Sequence, residues 1–283
     1  MSTITQRQKA EAFLRMHDRR HILVLPNAWD GASARIFEAA GFRAVATTSA
    51  GVSHTAGYPD GQMIPRDEML TIVGWIAQSV NIPVTADMES GFGRNPEEVA
   101  ETARMVIDTG AIGINLEDSI HGAERRLYEV PDAVERIRAA RAAAAALDVP
   151  LVINARTDVF LLGIGEKADR FDHAVRRLSA YREAGADCLY PIGMLDAETI
   201  GRLAAALDAP INIMGAPGIP PAAELERLGV ARVSTASGPA RVAMTAVKKL
   251  AADLARDGSF DVFRDAMNHQ DANALMTRRA GGR

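Results

Sequence analysis

Short apolar runs alternate with longer amphipathic stretches along most of the chain. Runs of about five residues that are rich in β-branched side chains are typical of strands buried in a parallel sheet. We interpret eight of them as strands: His21–Leu25, Ala44–Thr48, Pro83–Ala86, Gly113–Leu116, Leu151–Ala155, Cys188–Pro191, Ile211–Met214 and Arg232–Thr235. The stretches between them have helical spacing, which predicts helices at Ala32–Ala40, Arg66–Val80, Pro96–Thr109, Asp132–Leu147, Phe171–Ala184, Ala197–Leu207 and Ala222–Leu228.

The alternation of eight strands with helices predicts an α/β fold in the form of a closed (β/α)8 TIM barrel. An open doubly wound sheet is the alternative. Such a sheet usually has fewer strands and a glycine-rich phosphate-binding turn after the first one. The first predicted strand here continues instead into Pro26-Asn-Ala-Trp-Asp30. Because no linker or low-complexity segment divides the sequence, we expect a single domain over residues 1–283.

The chain continues past the last predicted strand into a helical extension, at about residues 239–283. Its pattern predicts two helices, roughly Pro239–Arg256 and Phe260–Thr277. A barrel needs only one closing helix, so the second is surplus. The apolar positions of this helix need burial, and a neighbouring subunit is one place for it: Phe260, Val262, Phe263, Met267, Leu275 and Met276.

Composition and charge narrow the class of protein. The 283 residues are 48% apolar and 24% charged, a profile typical of soluble globular proteins. The net charge of -4 argues against a nucleic-acid partner. No apolar run approaches the roughly 20 residues that span a bilayer, and the N-terminal segment has no apolar signal core. Cys188 is the single cysteine, so we expect no internal disulfide and a reducing, cytoplasmic setting.

Polar residues stand at the carboxyl ends of the predicted strands, where barrel enzymes build their active sites. They are Asn27, Asp30, Ser49, Asp87, Glu89, Glu117, Asp118, Arg156, Asp158, Tyr190, Asn212 and Ser234. One such residue is weak evidence for an active site, because loops are generally polar. Eight strands that all end in this way predict a site on this rim.

Three acids in neighbouring strands form the sharpest candidate site. Asp87 and Glu89 are two residues apart, so in an extended segment their carboxylates face the same way. Glu117 would join them from the next strand. Oxygen-only ligands, with no His or Cys, suit a hard cation such as Mg²⁺, with Mn²⁺ as a substitute. Helix capping or solvation of each acid is the alternative interpretation.

Two further segments are candidates for binding an anionic substrate. Arg156 offers a planar set of donors that suits a carboxylate or phosphonate, although an ion pair with Asp158 or another rim acid is the alternative. The small residues of Ser49-Ala50-Gly51 let backbone N–H groups approach an anion, but small residues also fill the tops of barrels.

Together these residues resemble the isocitrate lyase/phosphoenolpyruvate mutase superfamily, from about Leu25 to Arg241. Seven segments in this order carry the resemblance: Pro26-Asn-Ala-Trp-Asp30-Gly-Ala-Ser-Ala-Arg, Gly57-Tyr-Pro-Asp60-Gly, Ala86-Asp87-Met-Glu89-Ser-Gly-Phe-Gly93, Gly113-Ile-Asn-Leu-Glu117-Asp118, Asn154-Ala-Arg156-Thr-Asp158, Pro210-Ile-Asn212-Ile-Met and Gly229-Val-Ala-Arg-Val-Ser234. No single segment is decisive, but their order and spacing are specific.

The resemblance implies a barrel that exchanges its terminal helix with a partner subunit, commonly in a homotetramer. It also implies Mg²⁺ near Asp87, Glu89 and Glu117, with Asp60 beside the metal. The substrate carboxylate would rest on Ser49–Gly51, and its other end would lie near Arg156, with Asn212 as a further binding residue. Reactions of this superfamily make or break C–C or P–C bonds next to a carbonyl, through an enolate-like pyruvyl group.

One loop departs from the superfamily pattern. Lyase members carry a Lys-Arg-Cys-Gly-His type of loop after the Glu-Asp pair, and mutases carry Lys and Asn there. The corresponding stretch here, residues 119–128, has no Cys, Lys or Asn, and we expect Cys188 to lie in the core. A thiol mechanism is therefore disfavoured. Other candidate acids or bases are His121, Glu124, Arg125, Tyr128 and Tyr190, although each can equally be solvated or packed.

The sequence leaves three functions open. The first is a Mg²⁺-dependent carbon–carbon lyase that acts on a small 2-oxo or 2-hydroxy carboxylate, similar to 2-methylisocitrate lyase or an oxaloacetate decarboxylase. The second is P–C chemistry, as a phosphonomutase or phosphonopyruvate hydrolase. The third is a carboxylate-binding homologue that has lost turnover. The expected partners are a small carboxylate or phosphonate and further copies of the chain, without nucleic acid or membrane.

Overall fold

The computed structural model describes residues 5–122 and 126–277. Its strands, numbered β1 to β11 in chain order, are Leu23–Leu25, Asn27–Ala28, Val45–Thr47, Val84–Asp87, Gly113–Glu117, Ser119–Ile120, Arg126–Leu127, Val152–Thr157, Cys188–Pro191, Asn212–Met214 and Arg232–Ser234. Its α-helices, numbered α1 to α12, are Gln6–Arg15, Gly31–Ala39, Ser49–Thr55, Arg66–Ser79, Pro96–Asp108, Val130–Ala146, Val159–Leu162, Arg170–Glu183, Ala197–Leu207, Ala222–Arg227, Gly238–Asp257 and His269–Met276.

The strands form parallel sheets, which confirms the predicted α/β class. Six strands pair in the order β2-β3-β4-β5-β8-β9, and three pair in the order β1-β11-β10. Only Pro26 separates β1 from β2, and Leu189 of β9 bridges to Ile211, directly before β10. The exception is a two-residue antiparallel hairpin of β6 and β7, which follows β5.

The hydrophobic core lies between the sheets and the surrounding helices, and α1 covers its lower end. Phe13 of α1 is fully buried among residues at the amino ends of several strands, including Leu23 and Val152. The sequence pattern did not predict α1. Because this helix occupies the amino ends of the strands, the opposite, carboxyl ends are the ones left to form a site.

The predicted strands and the helices between them agree with the structure to within about two residues. The strand that we expected to begin at His21 begins at Leu23. Besides α1, two helices at the carboxyl ends of strands were missed. These are α3, which begins after the Thr48 N-cap, and the short α7.

The prediction for the C-terminal extension was partly wrong. The first helix is present as α11, but the predicted helix Phe260–Thr277 is two pieces, a 3-10 turn at Asp261–Phe263 and α12. The Asn268 side chain accepts a hydrogen bond from the Asp271 N–H, which caps a new helix. Apolar side chains of the extension are exposed within the chain: Val242, Met244, Val247, Phe260, Val262, Phe263, Met267 and Met276.

Among the described residues, no helix combines the length and the apolar character needed to cross a lipid bilayer.

Candidate active site

The parallel register brings polar residues of neighbouring strands side by side at their carboxyl ends. Asp87 at the end of β4 is paired with Asn115 of β5, and Glu117 at the end of β5 is paired with Arg156 of β8. Arg156 is in turn paired with Tyr190 of β9. Side chains that are distant in sequence therefore meet on one rim.

Glu89, Glu117 and His121 form the tightest cluster on this rim. Their ligand atoms all lie within 4.8 Å of one another. The His121 Nε2 atom is 3.1 Å from Glu117 Oε1 and 3.4 Å from Glu89 Oε2. Glu89 Oε1 is buried and has no hydrogen-bond partner among the described residues. Two carboxylates and one imidazole are a donor set that fits a divalent cation.

The two carboxylates of this cluster are hard to ionise together. Burial, followed by the charge of Glu117, raises the pKa of Glu89 to about 9. Burial raises the pKa of Glu117 to about 7, although the Arg156 charge opposes this rise. Low dielectric and like charges both disfavour the ionised forms. A positive charge placed between these groups would relieve both effects.

The predicted third acid, Asp87, lies beside this cluster and has other partners. Its Oδ2 accepts the Ser49 N–H at 2.9 Å, and its Oδ1 accepts from Asn115 Nδ2 at 2.8 Å. The assumed extended alternation ends with β4, because Glu89 has a left-handed backbone with φ of 50°. Asp87 nevertheless contributes to the raised pKa of Glu89, so the three acids do share one electrostatic environment.

Arg156 makes two ion pairs, as the alternative interpretation of this residue expected. Its Nη1 is 2.8 Å from Glu117 Oε2. Its Nε and Nη2 donate to Asp158 at 2.5 and 2.8 Å. These contacts fix the plane of the guanidinium, which also borders the cavity described below.

Asp118 fixes this part of the site through hydrogen bonds, a role that the sequence did not predict. Its buried carboxylate accepts from Thr157 Oγ1 at 2.7 Å, from Tyr181 Oη at 2.7 Å and from the Asp158 N–H at 3.0 Å. Arg177 Nη1 lies 3.3 Å from it. The end of β8, which carries Arg156, is thereby fixed to β5 and α8. The only sequence signal was a second acid directly after Glu117.

Two adjoining cavities open at the rim. The first, of about 200 Å³, is bordered by most of the predicted substrate residues. The second, of about 440 Å³, lies over the acid cluster. Ser49, Asp60 and Arg156 border both of them. The two cavities therefore connect the candidate metal cluster with the candidate substrate pocket.

Most of the other predicted site residues lie at the first cavity or next to it. Asp60, Ala50, Tyr190 and the predicted rim residue Ser234 border the first cavity, and Asn212 donates to Ser234 Oγ at 2.9 Å. Partial burial and then the charge of Asp87 raise the pKa of Asp60, and burial raises the pKa of Tyr190 to about 12.

Gly51 does not border this cavity. It lies in the first turn of α3, where its N–H points to Thr48 Oγ1 at 3.5 Å. A Cβ atom at this position would lie 2.5 Å from the Thr48 side chain, so only glycine fits. Its visible role is to let α3 pack closely behind the site.

Packing accounts for one further acid or base candidate, Tyr128, and for the single cysteine. Tyr128 lies under the Arg136 guanidinium, 3.9 Å from the ring centre. Cys188 is fully buried and its pKa is raised to about 12, which confirms that it belongs to the core. Glu124 and Arg125 lie outside the described residues.

Comparison with known proteins places this arrangement in a family. A family profile described as phosphoenolpyruvate phosphomutase matches residues 13–255. An uncharacterized protein of Mycobacterium tuberculosis is 34% identical over 226 residues, which cover 79% of this chain and 82% of that protein. The 2-methylisocitrate lyase of Escherichia coli is 31% identical over 185 residues, 63% of this chain and 60% of that enzyme.

Solved structures agree with this placement. The structure of a 2,3-dimethylmalate lyase has a TM-score of 0.84 and 28% identity, and the alignment covers 97% of this chain and 95% of that one. An oxaloacetate acetylhydrolase in complex with oxalate has a TM-score of 0.84 and 25% identity, with 95% and 93% covered.

Proposed function

Because the chain belongs to the phosphoenolpyruvate phosphomutase family, within the isocitrate lyase/phosphoenolpyruvate mutase superfamily, we propose that it is a divalent-metal-dependent carbon–carbon lyase. Its substrate is a small 2-oxo or 2-hydroxy carboxylate. The observation that carries this proposal is the cluster of Glu89, Glu117 and His121 at the edge of a polar cavity. The similarity to lyases and hydrolases of carboxylates supports it.

The metal in this proposal is Mg²⁺, with Mn²⁺ as a substitute. Glu89 and Glu117 hold it, His121 is within reach, and Asp87 and Asp60 act through the surrounding charge. When bound, the cation supplies positive charge next to a substrate oxygen that becomes negative during the reaction. The unpartnered Glu89 Oε1 supports this assignment.

The chain's own residues bind and orient the substrate in this proposal. Ser49 and Ala50 border the end of the cavity that takes one carboxylate, and Asn212 lies close to its deep wall. Arg156, held in its plane by Glu117 and Asp158, faces the same space.

Three residues are candidates for proton transfer. Tyr190 stays protonated at neutral pH, because its pKa is about 12, so it can donate a proton or a hydrogen bond. Asp60 and His121 border the cavity over the acid cluster, and in this proposal they remove a proton from the substrate or return it there.

We also propose a single domain in which the two sheets close into a (β/α)8 barrel. The Leu189–Ile211 bridge and the continuity of β1 with β2 support closure. The exposed apolar residues of α11 and the following turn, including Val247, Phe260 and Phe263, support exchange of the C-terminal helix with a second copy.

The test is a screen of the purified protein with Mg²⁺ against oxaloacetate, 2-methylisocitrate, 2,3-dimethylmalate and phosphonopyruvate. Cleavage of a C–C bond supports the lyase, and it is detected as pyruvate with CO₂ from oxaloacetate, with succinate from 2-methylisocitrate, or with propionate from 2,3-dimethylmalate. Release of phosphate from phosphonopyruvate supports P–C chemistry instead, the second candidate, which the matching family profile favours. If no substrate turns over while oxalate binds only with Mg²⁺, the protein is a carboxylate-binding homologue.

A further inference from the structure

Arg232 differs from the other deeply buried arginines of the structure. It begins β11, between Leu23 of β1 and Asn212 of β10, and it is 2% exposed. Within residues 5–122 and 126–277, its side chain makes no hydrogen bond and no ion pair, and its Nε and Nη1 atoms are buried without a partner. Arg136, in contrast, donates to three backbone carbonyls.

The groups around Arg232 do not neutralise its charge. Cys188 and Tyr190 both have a pKa of about 12, so they are uncharged at neutral pH. Burial lowers the pKa of His17 to about 4, so this ring is neutral as well. Asp87 acts on Arg232 through its charge, but both of its oxygens accept hydrogen bonds from Ser49 and Asn115.

An unpaired buried cation is costly, because burial removes its hydration and nothing replaces it. Proteins seldom keep such a group without a use for it. Arg232 also borders the first cavity, together with Tyr190 and Ser234. Asn154, which borders the same cavity, has an Oδ1 atom that is buried without a partner among the described residues, and this atom can accept a hydrogen bond from a substrate hydroxyl.

We propose that Arg232 forms an anion subsite at the deep end of the cavity and binds a second carboxylate of the substrate. This inference rests on the proposed function, and it narrows the substrate to a small dicarboxylate. The cavity of about 200 Å³ equals the volume of roughly seven water molecules, which suits a short diacid. Arg156, already held by two carboxylates, does not need to supply this contact.

The test compares L-malate with (S)-2-hydroxybutyrate, in which a methyl group replaces the distal carboxylate. Each acid is titrated into the whole protein with Mg²⁺ and followed by calorimetry. The wild type should bind malate at least about tenfold more tightly, as expected for a hydrogen bond between charged groups. Arg232→Met should lose this difference and keep its affinity for 2-hydroxybutyrate, while Arg232→Lys should keep part of it.

Two results would overturn the subsite. One is equal affinity of the wild type for the two acids, and the other is an unchanged preference for malate in Arg232→Met. Urea unfolding adds a second measurement, since the midpoint of Arg232→Met should be unchanged or higher. A clearly lower midpoint would show that the guanidinium has a structural role, and it would count against the subsite.

Oxalate separates this inference from the proposed function. Arg232 does not border the cavity over the acid cluster, so Arg232→Met should bind oxalate with Mg²⁺ as the wild type does. If oxalate fails to bind the wild type while the preference for malate still depends on Arg232, the proposed function fails and the subsite stands. If oxalate binds and the preference for malate is absent, only the subsite fails.

Discussion

Replacing Asp118 with Asn should lower the free energy of unfolding more than any other single change near the site. The carboxylate accepts four hydrogen bonds, one of them from the Arg177 guanidinium at 3.3 Å. Asn keeps one acceptor for the Asp158 N–H, but its NH₂ group faces the donors of Thr157 and Tyr181, and Arg177 loses its counter-charge. Breaking a buried pair by removing one partner costs about 3–5 kcal/mol.

The lower end of this range applies, because Arg177 keeps a hydrogen bond to the Tyr128 carbonyl at 2.8 Å. We therefore expect Asp118→Asn to lose about 3 kcal/mol of unfolding free energy, which lowers the melting temperature by roughly 6–12 °C. Equilibrium unfolding in urea measures the loss. Tyr181→Phe is the matched control, since it removes the hydrogen bond to Asp118 and a weaker one from Arg177 but keeps the carboxylate, and it should cost about 1.5 kcal/mol. A loss below about 1 kcal/mol for Asp118→Asn would refute the role of this carboxylate.

Three further predictions concern regions away from the rim. The folded protein lowers the pKa of His17 from 6.5 to about 4, so the unfolded chain binds more protons between these pH values. The free energy of unfolding should therefore fall by up to about 3 kcal/mol as the pH drops from 6.5 to 4. Urea midpoints plotted against pH should have a weaker slope in His17→Gln than in the wild type, and an equal slope would contradict this. Cys188 should resist alkylation by iodoacetamide at pH 8 in the native protein, since its pKa is about 12. Cys188→Ser should scarcely alter turnover, and a loss of turnover by several orders of magnitude would restore a thiol mechanism. Phe260→Glu together with Phe263→Glu should lower the mass measured by light scattering, because both side chains are exposed in one chain; an unchanged mass would argue against helix exchange through this segment.

The sequence was a good guide where a strong periodic pattern governs the structure. Cys188–Pro191 and Ala197–Leu207 have the bounds that the pattern predicted. The missed helix α3 lacks such a pattern. Ser49–Thr55 is rich in Ser and Gly, which are poor helix formers, and it depends on the Thr48 cap and on tertiary contacts.

The candidate site, too, could be predicted from the sequence only in part. The rim and its acids could be predicted, because parallel strands place their carboxyl ends together. The place of His121 could not, since it depends on the hairpin of Ser119–Ile120 and Arg126–Leu127 and on the left-handed turn at Glu89. These are backbone features that no local spacing of side chains reveals. The unpaired state of Arg232 likewise emerges only from the packed interior.

The metal requirement of the acid cluster can be measured directly with oxalate. The melting temperature of the wild type should rise with oxalate only when Mg²⁺ is present, by several degrees when both are far above their dissociation constants. Glu89→Gln and Glu117→Gln should stay folded and lose this rise, because each removes a carboxylate from the cluster of Glu89, Glu117 and His121. An oxalate shift that is the same without Mg²⁺, or that survives in both variants, would contradict a metal site at this rim.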